Sequence, residues 1–461
     1  MFIDLTNIEI DRKGNCLVTD VLQKCLDDID SNGGGELVLP PGQYRTGALS
    51  LPSNLVLRLQ PGAELIASEF IDDYRHITTQ TSAELSQCAL LYARNKSNIT
   101  ICGSGWINGQ DECWFASKPD AVGYRMPKQE RPRMLVMEEC EQINLRDFTI
   151  YHSPMWTIHF ACCRHLNIHN VTVDNDLYLP NTDSLDIDSC QFVKITNCTF
   201  SAADDGICLK TTRKNFGAEQ KMHHIAVGNC LIRSRGAAVK IGSETFADVE
   251  DIVVSNITVF DSNRAITLVS RDGGNLRQMI FSNITYECRL CVAHHWGKAE
   301  PVALSLRYRD PTITPGIIED IIFNNLTGSA HGAFHLYSEI QDAISNITFD
   351  TINFYQKSTE HVDYGCYDIR PPCNPAAPTG MGLDNSYSLN TKTGKPHGVE
   401  RYQNGIPVFY SRGVNNLQIR HLTLRRDNPD DVVWNQEQDI LQLPAKDRIK
   451  TNSPKTSETI Q

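Results

Sequence analysis

Two aspartates, Asp204 and Asp205, stand side by side in "SAADDGICLK", a stretch otherwise made mostly of small and apolar residues. A second acidic group, "PNTDSLDIDSC", precedes it with Asp183, Asp186 and Asp188, and Asp183 lies 21 residues before Asp204. If that interval is close to one turn of a repeating structure, Asp183, Asp204 and Asp205 meet on one patch. Carboxylates crowded in this way repel one another, and one pKa rises until that group holds a proton while its neighbours stay ionised. A protonated carboxyl beside an ionised one suits glycosidic cleavage, in which the acid protonates the leaving oxygen and the carboxylate activates water. Adjacent residues of a strand point to opposite faces, so both aspartates reach one groove only through a bend, which Gly206 permits. Taken singly, each would read as a solvated turn aspartate.

The elements that must position these groups repeat. From about residue 98 onward short β-rich runs recur around polar corners: "NITICG", "INLRDFTIY", "LNIHNVTVDN", "VKITNCTF", "IVVSNITVF", "MIFSNITY", "IIFNNLTG" and "LQIRHLTLRR". Asn170, Asn197, Asn229, Asn256 and Asn283 are spaced by 27, 32, 27 and 27 residues, one coil of a β-solenoid per interval. A parallel β-helix accounts for the pattern: strands stack coil on coil, inward residues form apolar ladders, and corner asparagines bond to neighbouring coils. The solenoid corner also accounts for the many Asn-x-Thr sequences without any glycan. In "TDVLQKCLDDIDSNGG", Val21, Leu22, Cys25, Leu26 and Ile29 share one helical face that starts at a Thr or Asp cap and stops at glycine. Such a helix, within an N-terminal cap of about residues 15–35, covers the open end of the solenoid, whose strand edges would otherwise invite association. One domain over residues 1–425 and a polar C-terminal tail over 426–461 follow. Longer excursions near residues 107–131, 287–312 and 356–406 are expected to build a binding site on the rigid coil.

Composition excludes several classes. The chain is 41% hydrophobic and 21% charged, with no apolar run near the roughly 18 residues of a membrane span, so no membrane partner is expected. A net charge of −12 without a Lys/Arg stripe argues against a nucleic-acid partner. Sixteen cysteines lie mostly inside apolar segments and read as buried free thiols; Cys288 and Cys291 form a Cys-x-x-Cys without a second pair, so no zinc site is expected. "MFIDLTNIEIDRKG" lacks the basic region and apolar core of a secretory leader, and a native start at Met1 implies the cytoplasm.

In this order and spacing, "PNTDSLDIDSC", "SAADDGICLK" and "SRGAAVKIGSE" resemble the polygalacturonase-like glycoside hydrolases of family 28. So do "LPPGQYRTGALSLPSNLVLRLQPGAELIAS", "GSGWINGQDECWF", "RPRMLVMEECEQINLRDFTIYHSPMWTIHF" and "PVFYSRGVNNLQIRHLTL", and the resemblance runs from about residue 15 to 425. It implies an all-β, right-handed, single-stranded parallel β-helix that inverts configuration at the anomeric carbon without a cofactor. Asp204 matches the family's general acid, and Asp183 and Asp205 match the two carboxylates that position and activate water. Asn181 and Lys210 would line the same groove; Glu244 of "IGSE" would either join them or satisfy backbone at a corner.

The departures bear on substrate. Aligned on "IGSE", the family's Gly-His-Gly falls at Arg235, Gly236 and Ala237, and its Arg-Ile-Lys falls at Thr267, Leu268 and Val269. A site without those cations forgoes charge-assisted hydrogen bonds worth about 1.5 to 3 kcal/mol each to an acidic sugar. Arg235, Lys240, Arg264 and Arg271 are the candidates to replace them; otherwise a neutral or deoxy sugar is the alternative. The reading that follows is a hydrolase acting on the ends of pectin-derived or related α-linked oligosaccharides, with an oligosaccharide as its partner. Its rivals are a β-helical lyase, whose clustered aspartates hold calcium beside a Lys or Arg base, and a carbohydrate-binding protein without catalysis. The "HHW" at 294–296 reads as substrate contact or loop surface, because adjacent histidines diverge, and Trp106, Trp114 and Trp156 are candidates to stack on sugars.

Overall fold

A computed structural model describes residues 1–84, 86–120, 123–214, 216, 221–291, 295–370 and 389–445. The strands form two long parallel stacks, one of 21 and one of twelve strands, plus a two-stranded antiparallel pair. The twelve-stranded stack runs in chain order from Leu49–Ser50 to Ile440–Leu443, one strand per coil, each paired in parallel with the next. This is the parallel β-helix that the repeats predict. The stack continues past residue 425: Ile440–Leu443 pairs with Phe409–Arg412, so the described part of the expected tail still carries a strand.

Alternation along the strands fills the bore. In Leu276–Cys288 the buried residues Leu276, Met279, Phe281, Ile284, Tyr286 and Cys288 are separated by half-exposed or exposed ones. Like residues stack on like from coil to coil: Phe281, Phe323 and Phe349 lie ring on ring, with centroids 5.1 and 4.7 Å apart, within the range of favourable offset stacking. At the corners, Asn229, Asn256, Asn283 and Asn325 adopt φ near +55°, which asparagine tolerates better than most residues. Their amides form a ladder in which each Nδ2 donates to the Oδ1 of the previous coil at 3.2, 3.1 and 2.8 Å. All fifteen cysteines among the described residues are free, and most are buried.

The helix Thr19–Ser31 buries Leu22, Cys25, Leu26 and Ile29 against the first coils, while Val21 stays half exposed. Its N-cap differs from expectation. Val18 occupies that position, and the Thr19 hydroxyl instead accepts from the backbone N–H of Gly47 at 2.8 Å, tying the helix to the coil beneath.

Described parts of the second and third excursions, with Trp296, Arg309 and Asp368 to Arg370, join residues of the twelve-stranded stack around one cavity. Within the third, Cys366–Asp368 and Val399–Arg401 pair as antiparallel arms, and Ile369 N–H donates to Gly398 at 2.9 Å. The intervening residues 371–388 lie outside the described residues.

Candidate active site

The catalytic candidates occupy one corner on two adjacent coils. Asp183 precedes the strand Leu185–Asp188, and Asp204 and Asp205 precede Ile207–Thr211. Ser184 N–H donates to the Asp205 carbonyl at 3.0 Å, and Gly206 N–H to Ala237 at 2.9 Å, so the corners are stacked in register. The two aspartates therefore lie ahead of the strand, where strict alternation does not apply. Gly206 is required by close approach: a Cβ there would come within 2.5 Å of Ile232 Cγ2 and 2.7 Å of the Ala238 carbonyl. As a result, one oxygen from each of Asp183, Asp204 and Asp205 lies within 4.8 Å of the others.

Their environments differ. Asp205 is buried, and its oxygens accept from Lys240 Nζ at 2.6 Å and from Ala237 N–H at 3.0 Å. Asp204 opens into the cavity, and burial together with Asp205 pushes its carboxyl up to about 7. Asp183 is also pushed well above the ordinary carboxylate range, by burial and then by Asp204, and its Oδ1 has no hydrogen-bond partner. Two carboxyls are raised rather than the single one expected, because one ammonium is bonded directly to a corner that holds three acids. Gly236 sits against them: a Cβ there would lie 2.8 Å from Asp205 Oδ1 and 3.0 Å from Asp204 Oδ1, so a side chain at this position requires those carboxylates to shift.

Around this corner is a cavity of about 370 Å³. Asn181, Lys210, Glu244 and Arg271 line it. Asn181 is fixed by Arg131, which donates to its Oδ1 at 3.1 Å. Arg271 makes no ion pair among the described residues; it donates to the Ser270 and Ser305 carbonyls and to the Ser305 hydroxyl, while its Nε has no partner. Burial, with Arg307 and Arg309 nearby, lowers its pKa to about 9. Arg235 corrects the expectation that it lines the groove. Its guanidinium turns to Asp261, donating to the carbonyl at 2.5 Å and the carboxylate at 3.2 Å, because Asp261 gathers Arg233, Arg235 and Arg289 outside the cavity.

Lys210 is already committed: its Nζ pairs with Asp186 at 2.9 Å and sits 3.7 Å over the Trp156 ring. Breaking one side of a buried pair leaves an uncompensated charge, at a cost of about 3 to 5 kcal/mol. Chemical denaturation is expected to show a loss of that size for Lys210→Met, recovered in large part when Asp186→Leu is added. Equal stability of the single and double variants would contradict the role of the pair.

Sequence reasoning missed the residues that loops deliver. Glu84, at the turn between Ala83 and Ser86, faces the cavity; burial and Glu244 push its carboxyl up to about 7. Trp296, Arg309, Asp368 and Arg370 close further parts of the wall, with Arg370 4.5 Å over the Trp296 ring. Trp296 belongs to the "HHW" stretch read as substrate contact or loop surface; no motif marks the others, only their place in long insertions. Trp156 lines the cavity, whereas Trp114 is core and Trp106 is exposed elsewhere. In "HHW", His295 is buried against the Ala203 carbonyl at 3.3 Å, and His294 lies outside the described residues.

The chain is thus a parallel β-helix protein whose cavity is lined by clustered carboxylates. Residues 74–369, more than half of the chain, match the family Glycosyl hydrolases family 28, and the chain belongs to that family. A probable polygalacturonase of Vitis vinifera is 25% identical over 64% of this chain and 65% of its own length. An exo-poly-alpha-D-galacturonosidase of Dickeya chrysanthemi is 22% identical over 61% of this chain and 54% of its own. The chain thus spans less than two thirds of either relative. The family 28 exopolygalacturonase of Yersinia enterocolitica superposes with a TM-score of 0.66 at 17% identity, over 96% of this chain and 78% of that one. The fold is the right-handed parallel β-helix that the sequence predicts.

Proposed function

We propose that the protein is an inverting glycoside hydrolase that removes sugars from the ends of pectin-derived or related α-linked oligosaccharides. The observation that carries this reading is the carboxylate corner: one acid pushed up to about 7 in the cavity beside one bonded to an ammonium. Asp204 protonates the glycosidic oxygen. Water held by Asp205 and Asp183 attacks the anomeric carbon and passes its proton to Asp205, while the bond to the leaving oxygen, which has taken the Asp204 proton, breaks. Wall segments from three loops, carrying Glu84, Trp296 and Asp368 to Arg370, favour entry of a chain end. Arg271 supports an acidic residue somewhere in the substrate, since among the described residues its guanidinium is held by the Ser270 and Ser305 carbonyls and the Ser305 hydroxyl rather than by a carboxylate.

Two observations favour other readings. Oxygens within 4.8 Å are nearer the roughly 5 to 5.5 Å of retaining enzymes than the roughly 6.5 to 9.5 Å of inverting ones. However, Asp205 has both oxygens engaged and Asp183 is pushed toward its protonated form, so neither is a ready nucleophile, and water beside the corner serves better. The same three oxygens can also surround a cation, as a calcium-dependent lyase requires. Incubation with acidic and neutral α-linked oligosaccharides, followed by mass spectrometry, separates these outcomes. Saturated sugars released one unit at a time, insensitive to chelator, are expected; unsaturated products lost with chelator would establish the lyase.

A further inference from the structure

Buried polar atoms that lack partners mark places where a ligand completes the hydrogen bonding. Two of them lie on the cavity floor, Thr267 Oγ1 and His335 Nε2, and each residue is only 3% exposed. They belong to a single row of the twelve-stranded stack, in which Lys240 pairs with Thr267, Thr267 with Ala303, and Ala303 with His335. The row begins at the lysine that holds Asp205. Thr267 and His335 are two strands apart, about 9.5 Å at the usual spacing, with the small side chain of Ala303 between them. That gap suits one sugar ring with a hydrogen bond at each side.

We propose that Thr267 and His335 form a subsite for a neutral sugar next to the catalytic carboxylates, recognising its hydroxyls across Ala303. The inference rests on the glycoside hydrolase reading of this cavity and specifies one sugar within it. His335 Nδ1 lies 3.4 Å from the Tyr402 hydroxyl, and burial lowers the imidazole to about 4, so the ring is neutral. In either tautomer its Nε2 has a match in a sugar hydroxyl, which both donates and accepts. Arg264, which also lines the cavity, is paired with Glu300 at 2.8 and 3.1 Å and so is not available to a carboxylate at this subsite.

The test is direct binding of free D-galactose, L-rhamnose and D-galacturonate to the full chain, read by calorimetry, for wild type, His335→Phe and Thr267→Val. One neutral sugar is expected to bind wild type, and each variant to weaken it roughly tenfold while leaving galacturonate unchanged. Thr267→Val is nearly isosteric and keeps the test open if His335→Phe does not fold. Neutral-sugar affinity unchanged in a folded variant, or no neutral sugar bound by wild type, overturns the subsite. Wild-type turnover on neutral-ended oligosaccharides is measured alongside. Binding that weakens as expected without any turnover supports the subsite and removes the hydrolase; turnover with affinities untouched by either variant retains the hydrolase and overturns the subsite.

Discussion

Asp204→Asn is expected to lower kcat roughly 10² to 10⁴-fold, the range that a positioned general acid contributes, with oligosaccharide binding retained. The asparagine keeps the shape of the side chain but has no carboxyl proton to give to the leaving oxygen. Asp204 is the member of the corner that opens to the cavity and is also pushed up to about 7, while Asp205 is occupied by the Lys240 ammonium. Glu84 is the necessary control, being the other cavity carboxyl raised to about 7. Glu84→Gln is expected to change KM more than kcat, since Glu84 stands on the turn between Ala83 and Ser86 and is not part of the stacked corner. A large loss of kcat in Glu84→Gln with little in Asp204→Asn would move the acid to Glu84.

The second large effect concerns pH. A general acid works while protonated, so activity is present below the pKa of Asp204 and falls as pH rises through about 7. Burial and Asp205 raise that pKa; Lys240 and Lys210 oppose them. Lys240→Met removes the nearer opposition, so Asp204 keeps its proton to higher pH and the alkaline limb moves upward. The same change strips Asp205 of its ammonium partner, and kcat is expected to fall by roughly 10²-fold or more, as for other positioned acid–base groups. An unmoved alkaline limb in a folded Lys240→Met would show that another group governs it.

Much of this was legible in the sequence, for particular reasons. The asparagine spacing is the coil length, and the ladder from Asn229 to Asn325 shows why: each sits at positive φ and bonds to its predecessor. The 21-residue interval brought Asp183 to Asp204 because no insertion separates those coils. Beyond residue 287 insertions break the period, so the sequence marks 287–312 and 356–406 as segments that build a site but not which of their residues, such as Asp368 and Arg370, reach the cavity, nor that His335 of a regular strand does. Arg235 was misplaced because a corner residue beside Gly236 can turn either way, and Asp261 decides the direction. The strand Ile440–Leu443 was hidden in a polar segment because it is held by backbone pairing with Phe409–Arg412, and most of its side chains are exposed.

The central claim is that Asp204 donates a proton while water, rather than a carboxylate, attacks the sugar. Proton NMR of the first product formed, recorded before mutarotation, tests it most directly. The account predicts release of the β-anomer from an α-linked substrate, because a single displacement inverts the centre. Initial release of the α-anomer would require a glycosyl-enzyme intermediate, and would turn the short separation within the carboxylate corner into evidence of a nucleophile.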